Sequence, residues 1–346
     1  MLEIDGNYGE GGGQILRTAL SLSCLLNLQF HLFNIRKGRK MPGLMPQHLT
    51  CVRSMMQISR ARVEGDFIGS QDLIFSPSEI RAGNYFFDIG TAGSTSLLLQ
   101  CILPPLIFAK NESVVTVKGG THVPFSPTFN YIRDVFIPML RKLGITLTSV
   151  INRYGFYPKG GGEIIIKITP SEEIHGLTLQ ERGGLKAIQG ISGVANLPES
   201  IAQRQREAAI KTLAVHGLKA EIEMLSVPAF GHGTFIFIKS ETDICISGFS
   251  SLGQRGKKAE LVGEEAAGEL ITYHKSSACI EHHLADQIIL YLAVAKGISS
   301  FSTSCITNHL LTNLWVIEKF TGIRFTVTGQ KGFPGKVTLS GKGLSF

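Results

Sequence analysis

Residues 2–26, LEIDGNYGEGGGQILRTALSLSCLL, carry the pattern that decides the fold. Residues 2–5 read as a short strand, residues 6–13 as a glycine-rich turn, and about Gln14 to Leu26 as an apolar helix. Ile15, Ala19, Leu22 and Leu26 keep the helical period, and Leu16 and Leu20 widen the face that must be buried. Gln14, Arg17 and Ser21 share a polar stripe at the glycine end.

The same order returns further along the chain. After the first helix come a strand at 30–36, a basic turn with Arg36, Lys37, Arg39 and Lys40, a helix at 45–59 and paired strands at 61–64 and 72–75. A second pass runs through a strand at 85–89, the turn Gly90-Thr91-Ala92-Gly93-Ser94, a helix at 95–109 and a strand at 113–117. It ends with a helix at 126–143 and strands near 145–151 and 163–168. A third pass is shorter at its front: helix 283–296, strand 300–303, helix 309–320, then strands 324–328 and 336–339. This spacing predicts an α/β (α+β) fold with three βαβαββ units in one large domain, the starts of their first helices converging on one cleft.

Residues 182–276 interrupt the rhythm. They offer strands at 186–194, 220–225, 234–239 and 243–246 and helices at 199–215 and 258–273. The expectation is a large domain over 1–181 and 277–346 and an inserted small domain over 182–276. Arg204, Arg206, Arg255, Lys257 and Lys258 would give the insert a basic side.

A hydrophobic content of 43% with 18% charged residues excludes a disordered chain. The net charge of +7 suits a phosphate-rich partner. Six cysteines lie far apart with no CxxC or zinc spacing, which predicts reduced thiols in a cytoplasmic protein. The N-terminus lacks the basic and apolar regions of a signal peptide. The longest apolar run, 97–109, is too short to span a bilayer, so no membrane association is expected. No obligate protein partner is evident in the residues.

The chemistry-bearing residues gather at helix starts. Thr307 or Asn308 is a natural N-cap, which places His309 in the first turn, where amide donors and the helix dipole favour phosphate. A neutral imidazole there has a nucleophile's lone pair. The Gly9–Gln14 turn can cradle an anion with bare amides, although it is neither a Walker A loop nor GxGxxG. Glu10 within it would repel phosphate unless a divalent ion lay between them. Arg36, Lys37, Arg39 and Lys40, followed by Gln47-His48, can hold a phosphodiester chain. Asp286 and Gln287 at another helix start can hydrogen-bond a ribose or base edge, or simply cap.

Taken together, GEGGGQILRTALSLS, IRKGRKMPGLMPQHLT, GTAGSTSLLLQ, YGFYPKGGGEI, SLGQRGKKAE, HLADQ and HLLTN resemble the RNA 3′-terminal phosphate cyclases, in order and over essentially the whole chain. The family's signature is a basic residue followed by G-x-x-P-x-G-G-G. Residues 155–162 match it, but Tyr154 occupies the basic position, with Arg153 before it. The resemblance implies three repeats like the C-terminal domain of translation initiation factor 3 and a thioredoxin-like insert. It also implies ATP-dependent conversion of an RNA 3′-phosphate to a 2′,3′-cyclic phosphate through AMP carried on a histidine, matched here by His309. Glu10 resembles the residue that binds a divalent metal (Mg²⁺ or Mn²⁺). Gln100, Pro127, His283, Leu284, Ala285, Asp286 and Gln287 resemble the ATP-binding positions. Gln14, Arg17, Arg36, Arg39, Gln47 and His48 fall where the family lines the path to phosphates and the RNA end. The alternative is a cyclase-like RNA-binding factor of ribosome assembly, which lacks the nucleophile; the histidine opening HLLTN separates the two. Enolpyruvate transferases, built from similar repeats, need a different residue set.

Overall fold

The computed structural model describes residues 1–344. The first unit runs β1 (Leu2–Asp5), α1 (Gly13–Leu26), β2 (Phe30–Phe33), α2 (Pro46–Ser59), β3 (Arg62–Glu64) and β4 (Leu73–Ser76). Its strands lie in the order β1-β2-β4-β3. The first two are parallel, as a helical crossover requires, and the hairpin pairs antiparallel beside them.

The second unit repeats this with β5 (Asn84–Asp88), α3 (Thr95–Ile107), β6 (Ser113–Gly119), α4 (Phe129–Tyr131), α5 (Ile137–Lys142), β7 (Thr146–Arg153) and β8 (Gly162–Thr169), in the order β5-β6-β8-β7. The helix expected over 126–143 starts later, because Thr128 caps it by accepting from the Tyr131 N–H. Between α4 and α5, residues Ile132–Phe136 widen into a π-helix just before Pro138, which has no N–H to donate.

The strand that the third pass seemed to lack is β9 (Thr178–Leu179), which precedes the interruption. It pairs parallel with β14 (Lys296–Thr303) and completes a sheet with β15 (Phe325–Gly329) and β16 (Gly335–Lys342), in the order β9-β14-β16-β15. Two residues are too short to show a period, so alternation carries no strand signal there. Between these strands lie the helices α8 (His282–Val294) and α9 (Asn308–Thr321).

Residues 185–276 form a fourth sheet from β10 (Leu185–Ala195), β11 (Glu221–Ser226), β12 (Gly233–Thr242) and β13 (Ile246–Leu252), with α6 (Glu199–Val215) and α7 (Ala259–Ser276). Its order is β11-β10-β12-β13. Of the strand expected at 243–246, residues 243–245 are instead the turn between β12 and β13, and Ile246 opens β13; Thr242 closes the turn, its hydroxyl and N–H both donating to the Cys245 carbonyl.

Burial explains the layering. On one side of the fourth sheet, Ile188, Ile236 and Ile238 pack with Ala209 and Leu213 of α6 and Val262, Ala266 and Leu270 of α7. On the other, Phe235 and Phe237 join the main core together with Ala195 and Val227. Alternation along β12 sends successive side chains to opposite faces, so one strand belongs to both cores. The cysteines are free thiols, five of them buried. Among the described residues no helix is long and apolar enough to cross a membrane.

The signature stretch is a structural joint. A Cβ at Gly155 would lie 2.3 Å from the Gly119 carbonyl, and one at Gly160, where φ is +62°, would lie 2.8 Å from Ala92. Glycine therefore lets this loop press against the second glycine turn. Arg153 donates to the Gly161 carbonyl at 2.7 Å and lies over the Phe230 ring at 4.0 Å. Tyr154 is buried against His122 and Phe235. The guanidinium next to the signature's basic position thus secures the loop itself.

Candidate active site

The three first helices do converge. A cavity of about 620 Å³ is lined by Gln14 and Arg17 of α1, Gln100 of α3, and His283, Asp286 and Gln287 of α8, with His309 of α9 and Pro127 opposite. The fourth sheet closes the remaining side through Ser250 and Ser251 of β13 and Lys257 and Glu265 beyond it.

His309 sits in the first turn of α9, as its spacing from the cap predicts. The Thr307 hydroxyl accepts from the Leu310 N–H at 3.0 Å and donates to Asp286 at 3.0 Å, so one side chain both starts the helix and fixes its neighbour. The imidazole is held from both sides: Nδ1 meets the Gln14 side-chain oxygen, and Nε2 lies 2.8 Å from Glu10 Oε2. Gln14 also donates to the His309 carbonyl at 3.0 Å. Arg39 donates to the Glu10 carboxylate at 2.8 Å and to its backbone carbonyl at 2.9 Å.

These contacts set the charges. The pairing with His309, reinforced by Arg39, holds the Glu10 carboxyl below the usual carboxylate range, although burial works against it. The same pairing raises His309 above the ordinary imidazole value. Burial pushes Asp286 up to about 8, so near neutrality it presents little negative charge to an arriving anion. Arg17 faces the cavity with no ion pair or hydrogen bond to its guanidinium among the described residues. Among the described residues it is a cation of the site that no carboxylate neutralises directly.

The glycine turn works by close approach. Gly9 and Gly11 have φ of +57° and +58°. A Cβ on Gly13 would fall 2.2 Å from His48 Nε2. His48 itself accepts from the Met45 N–H at 3.1 Å and caps α2; burial pushes it down to about 3, with Arg17 and Arg36 adding to the effect.

Several residues expected at the site lie apart from the cavity. Arg36 donates to the carbonyls of Met41 and Gly43, both at 2.8 Å, and so closes its own loop. Gln47 accepts from the Ser94 N–H at 3.1 Å and ties α2 to the second glycine turn. Leu284 and Ala285 are fully buried in the core, so only their backbone could reach a ligand. Two residues not expected from the sequence join the network. Thr18 donates to Asn313 at 2.8 Å, and Asn313 donates to the Asp286 carbonyl at 2.9 Å, linking α1, α9 and α8. Asn313 lies four residues after His309 on the same helix face, and that spacing could have flagged it. Within residues 185–276, Arg204 is bound bidentately by Glu260, and Lys257 pairs with Glu265, so the expected basic side is partly neutralised.

Comparison with known proteins places relatives along nearly the whole chain. A family model described as RNA 3′-terminal phosphate cyclase matches residues 8–327. The chain is 42% identical to the RNA 3′-terminal phosphate cyclase of Methylococcus capsulatus, over 99% of this chain and 97% of that one. It is 42% identical to that of Pyrococcus furiosus, over 97% and 98%, and 43% identical to that of Methanosarcina barkeri, over 96% and 98%. With a histidine at a helix start, a carboxylate paired to it and matches of this length, the chain belongs to the RNA 3′-terminal phosphate cyclase family.

Proposed function

We propose that the protein converts an RNA 3′-terminal phosphate to a 2′,3′-cyclic phosphate, using ATP and a covalent AMP on His309. The observation that carries this reading is the imidazole held between Glu10 and Gln14 at the wall of a cavity containing the unpaired Arg17. Once its Nε2 proton has passed to solvent water, that nitrogen attacks the α-phosphorus of ATP. An N–P bond forms, the bond to the bridging oxygen breaks and pyrophosphate departs. An oxygen of the RNA 3′-phosphate then attacks the same phosphorus and releases the histidine, giving an RNA–adenylate. The vicinal 2′-OH loses its proton, attacks the 3′-phosphorus and expels AMP. Adenylylation supplies the leaving group that a bare 3′-phosphate lacks. The last step is intramolecular, where proximity lowers a barrier by roughly 7–11 kcal/mol.

Each side chain has a defined task in this scheme. Gln14 orients the imidazole through Nδ1 and leaves Nε2 to react. Arg17 offsets charge building on phosphorus. Gln100, Asp286 and Gln287 line the nucleotide's place, and among the described residues the buried Gln287 side-chain oxygen has no partner there. Among the described residues no group of three or more His, Cys, Asp or Glu is arranged around a metal. Glu10 alone fits a cation that arrives with phosphate oxygens as its other ligands, since magnesium is usually held by one or two protein carboxylates. Such a cation would supply charge neutralisation at the phosphates.

The architecture supports the finer structural reading too. Three sheets of one order support repeats like those of the C-terminal domain of translation initiation factor 3, over residues 1–181 and 277–346. The order β11-β10-β12-β13, with one parallel pair joined through α6, supports a thioredoxin-like insert over 182–276. The test of function is an RNA ending in a radiolabelled 3′-phosphate. With ATP and a divalent ion its label should become resistant to phosphatase, with AMP and pyrophosphate formed in step. RNA binding without any such conversion would favour the non-catalytic relative.

A further inference from the structure

One ring on the cavity is left bare. Phe125 lies in the loop between β6 and α4 and lines the same cavity as His309. Its relative exposure is 102%, whereas the other aromatic rings on that wall, Tyr131, Phe136 and Tyr291, are 4%, 1% and 2% exposed. Among the described residues no ring or cation stacks on it. Its backbone is in the left-handed region, at φ +61°. A bulky side chain adopts that conformation only when its surroundings impose it.

The surroundings here are rigid. Pro124 and Pro127 fix the backbone on either side. The Ser126 hydroxyl donates to the Val123 carbonyl at 3.0 Å, and the Thr128 hydroxyl bonds Ser250 of β13 at 3.1 Å. The Phe129 N–H donates to the Thr121 carbonyl at 3.0 Å. The ring is therefore held out over the cavity mouth, a strained position that leaves its apolar surface exposed.

We infer that Phe125 is the stacking platform for the base of the RNA's 3′-terminal nucleotide, and so sets where the 3′-phosphate sits relative to His309. This rests on the cyclase reading. Two nucleobases must come to the cavity in that reaction. The base of ATP belongs to a nucleotide enclosed between α3 and α8, beside Gln100, Asp286 and Gln287. The base of the RNA belongs to a chain that must leave through the mouth, where Phe125 stands. A flat ring without hydrogen-bonding groups would hold any of the four bases by its π-face, which suits an enzyme that reads a terminus rather than a sequence.

The test uses the full-length protein and two RNAs with a 3′-phosphate, one ordinary and one abasic at its last nucleotide. Stacking on an aromatic side chain predicts that Phe125→Ala raises KM for the ordinary RNA roughly 10-fold, with kcat changing less. Phe125→Trp should retain the wild-type value and Phe125→Leu should not. The abasic RNA should cost the wild type a similar factor and cost Phe125→Ala nothing further. Equal losses from the abasic end in both proteins would overturn the inference, as would wild-type kinetics in Phe125→Ala. Protein labelling by ATP without RNA is the second arm: a drop there in Phe125→Ala would assign the ring to the adenine instead. No cyclisation by the wild type would overturn the cyclase reading, and this inference with it.

Discussion

At the residue scale, the site depends on one proton. His309 and Glu10 lie 2.8 Å apart, and their pairing raises the one and lowers the other, which favours the imidazolium–carboxylate form. Attack on phosphorus needs the neutral imidazole. The rate of adenylylation should therefore rise with pH through a limb that lies above the ordinary histidine value of about 6.5. Replacing Glu10 with glutamine removes the charge that stabilises the proton, so in Glu10→Gln the limb moves to lower pH even if the plateau falls. A pH–rate profile of protein labelling by ATP measures this, and a limb that stays in place would show that Glu10 does not hold the proton. His309 was legible in the sequence because a cap, an apolar period and a histidine coincide there. Arg36, Gln47 and His48 were only half legible. Their composition suggests phosphate binding, but their hydrogen-bond partners lie on loops distant in sequence or within their own turn, and side-chain type does not say which neighbour a polar group meets.

At the scale of elements, helix starts carry both structure and chemistry. Thr307 caps α9 and also bonds Asp286 on α8. Thr307→Ala should lose about 1 kcal/mol of stability, and Thr307→Ser should lose little. Urea unfolding followed by far-ultraviolet circular dichroism measures the difference; equal midpoints for all three proteins would show that the cap is dispensable. Helices were easy to read because their apolar faces repeat over three or four turns. The failures were short or locally overridden. The two-residue β9 has no period, and the 243–245 segment is apolar in part yet is pulled into a turn by Thr242 and Cys245. The helix expected from Ser126 begins later because Thr128 offers the better cap.

At the scale of the molecule, His309 lies at one wall of a cavity whose other walls come from sequence-distant helices and from β13. The repeats were visible as element order, but nothing in the order of elements reveals that β12 turns Phe235 and Phe237 into the main core. That sharing predicts one cooperative thermal transition in calorimetry, because the insert cannot melt without uncovering the core beside it. Two resolved transitions would contradict it.

The measurement that tests the central claim most directly is to mix the protein with α-³²P-labelled ATP and a divalent ion, without RNA, and then denature it. The account predicts a protein-bound label that survives alkali and is lost in acid, as a phosphoramidate is, and that is absent from a folded His309→Ala variant. An undiminished label in that variant would place the adduct elsewhere, and no label on the folded wild-type protein would contradict a covalent histidine–AMP intermediate altogether.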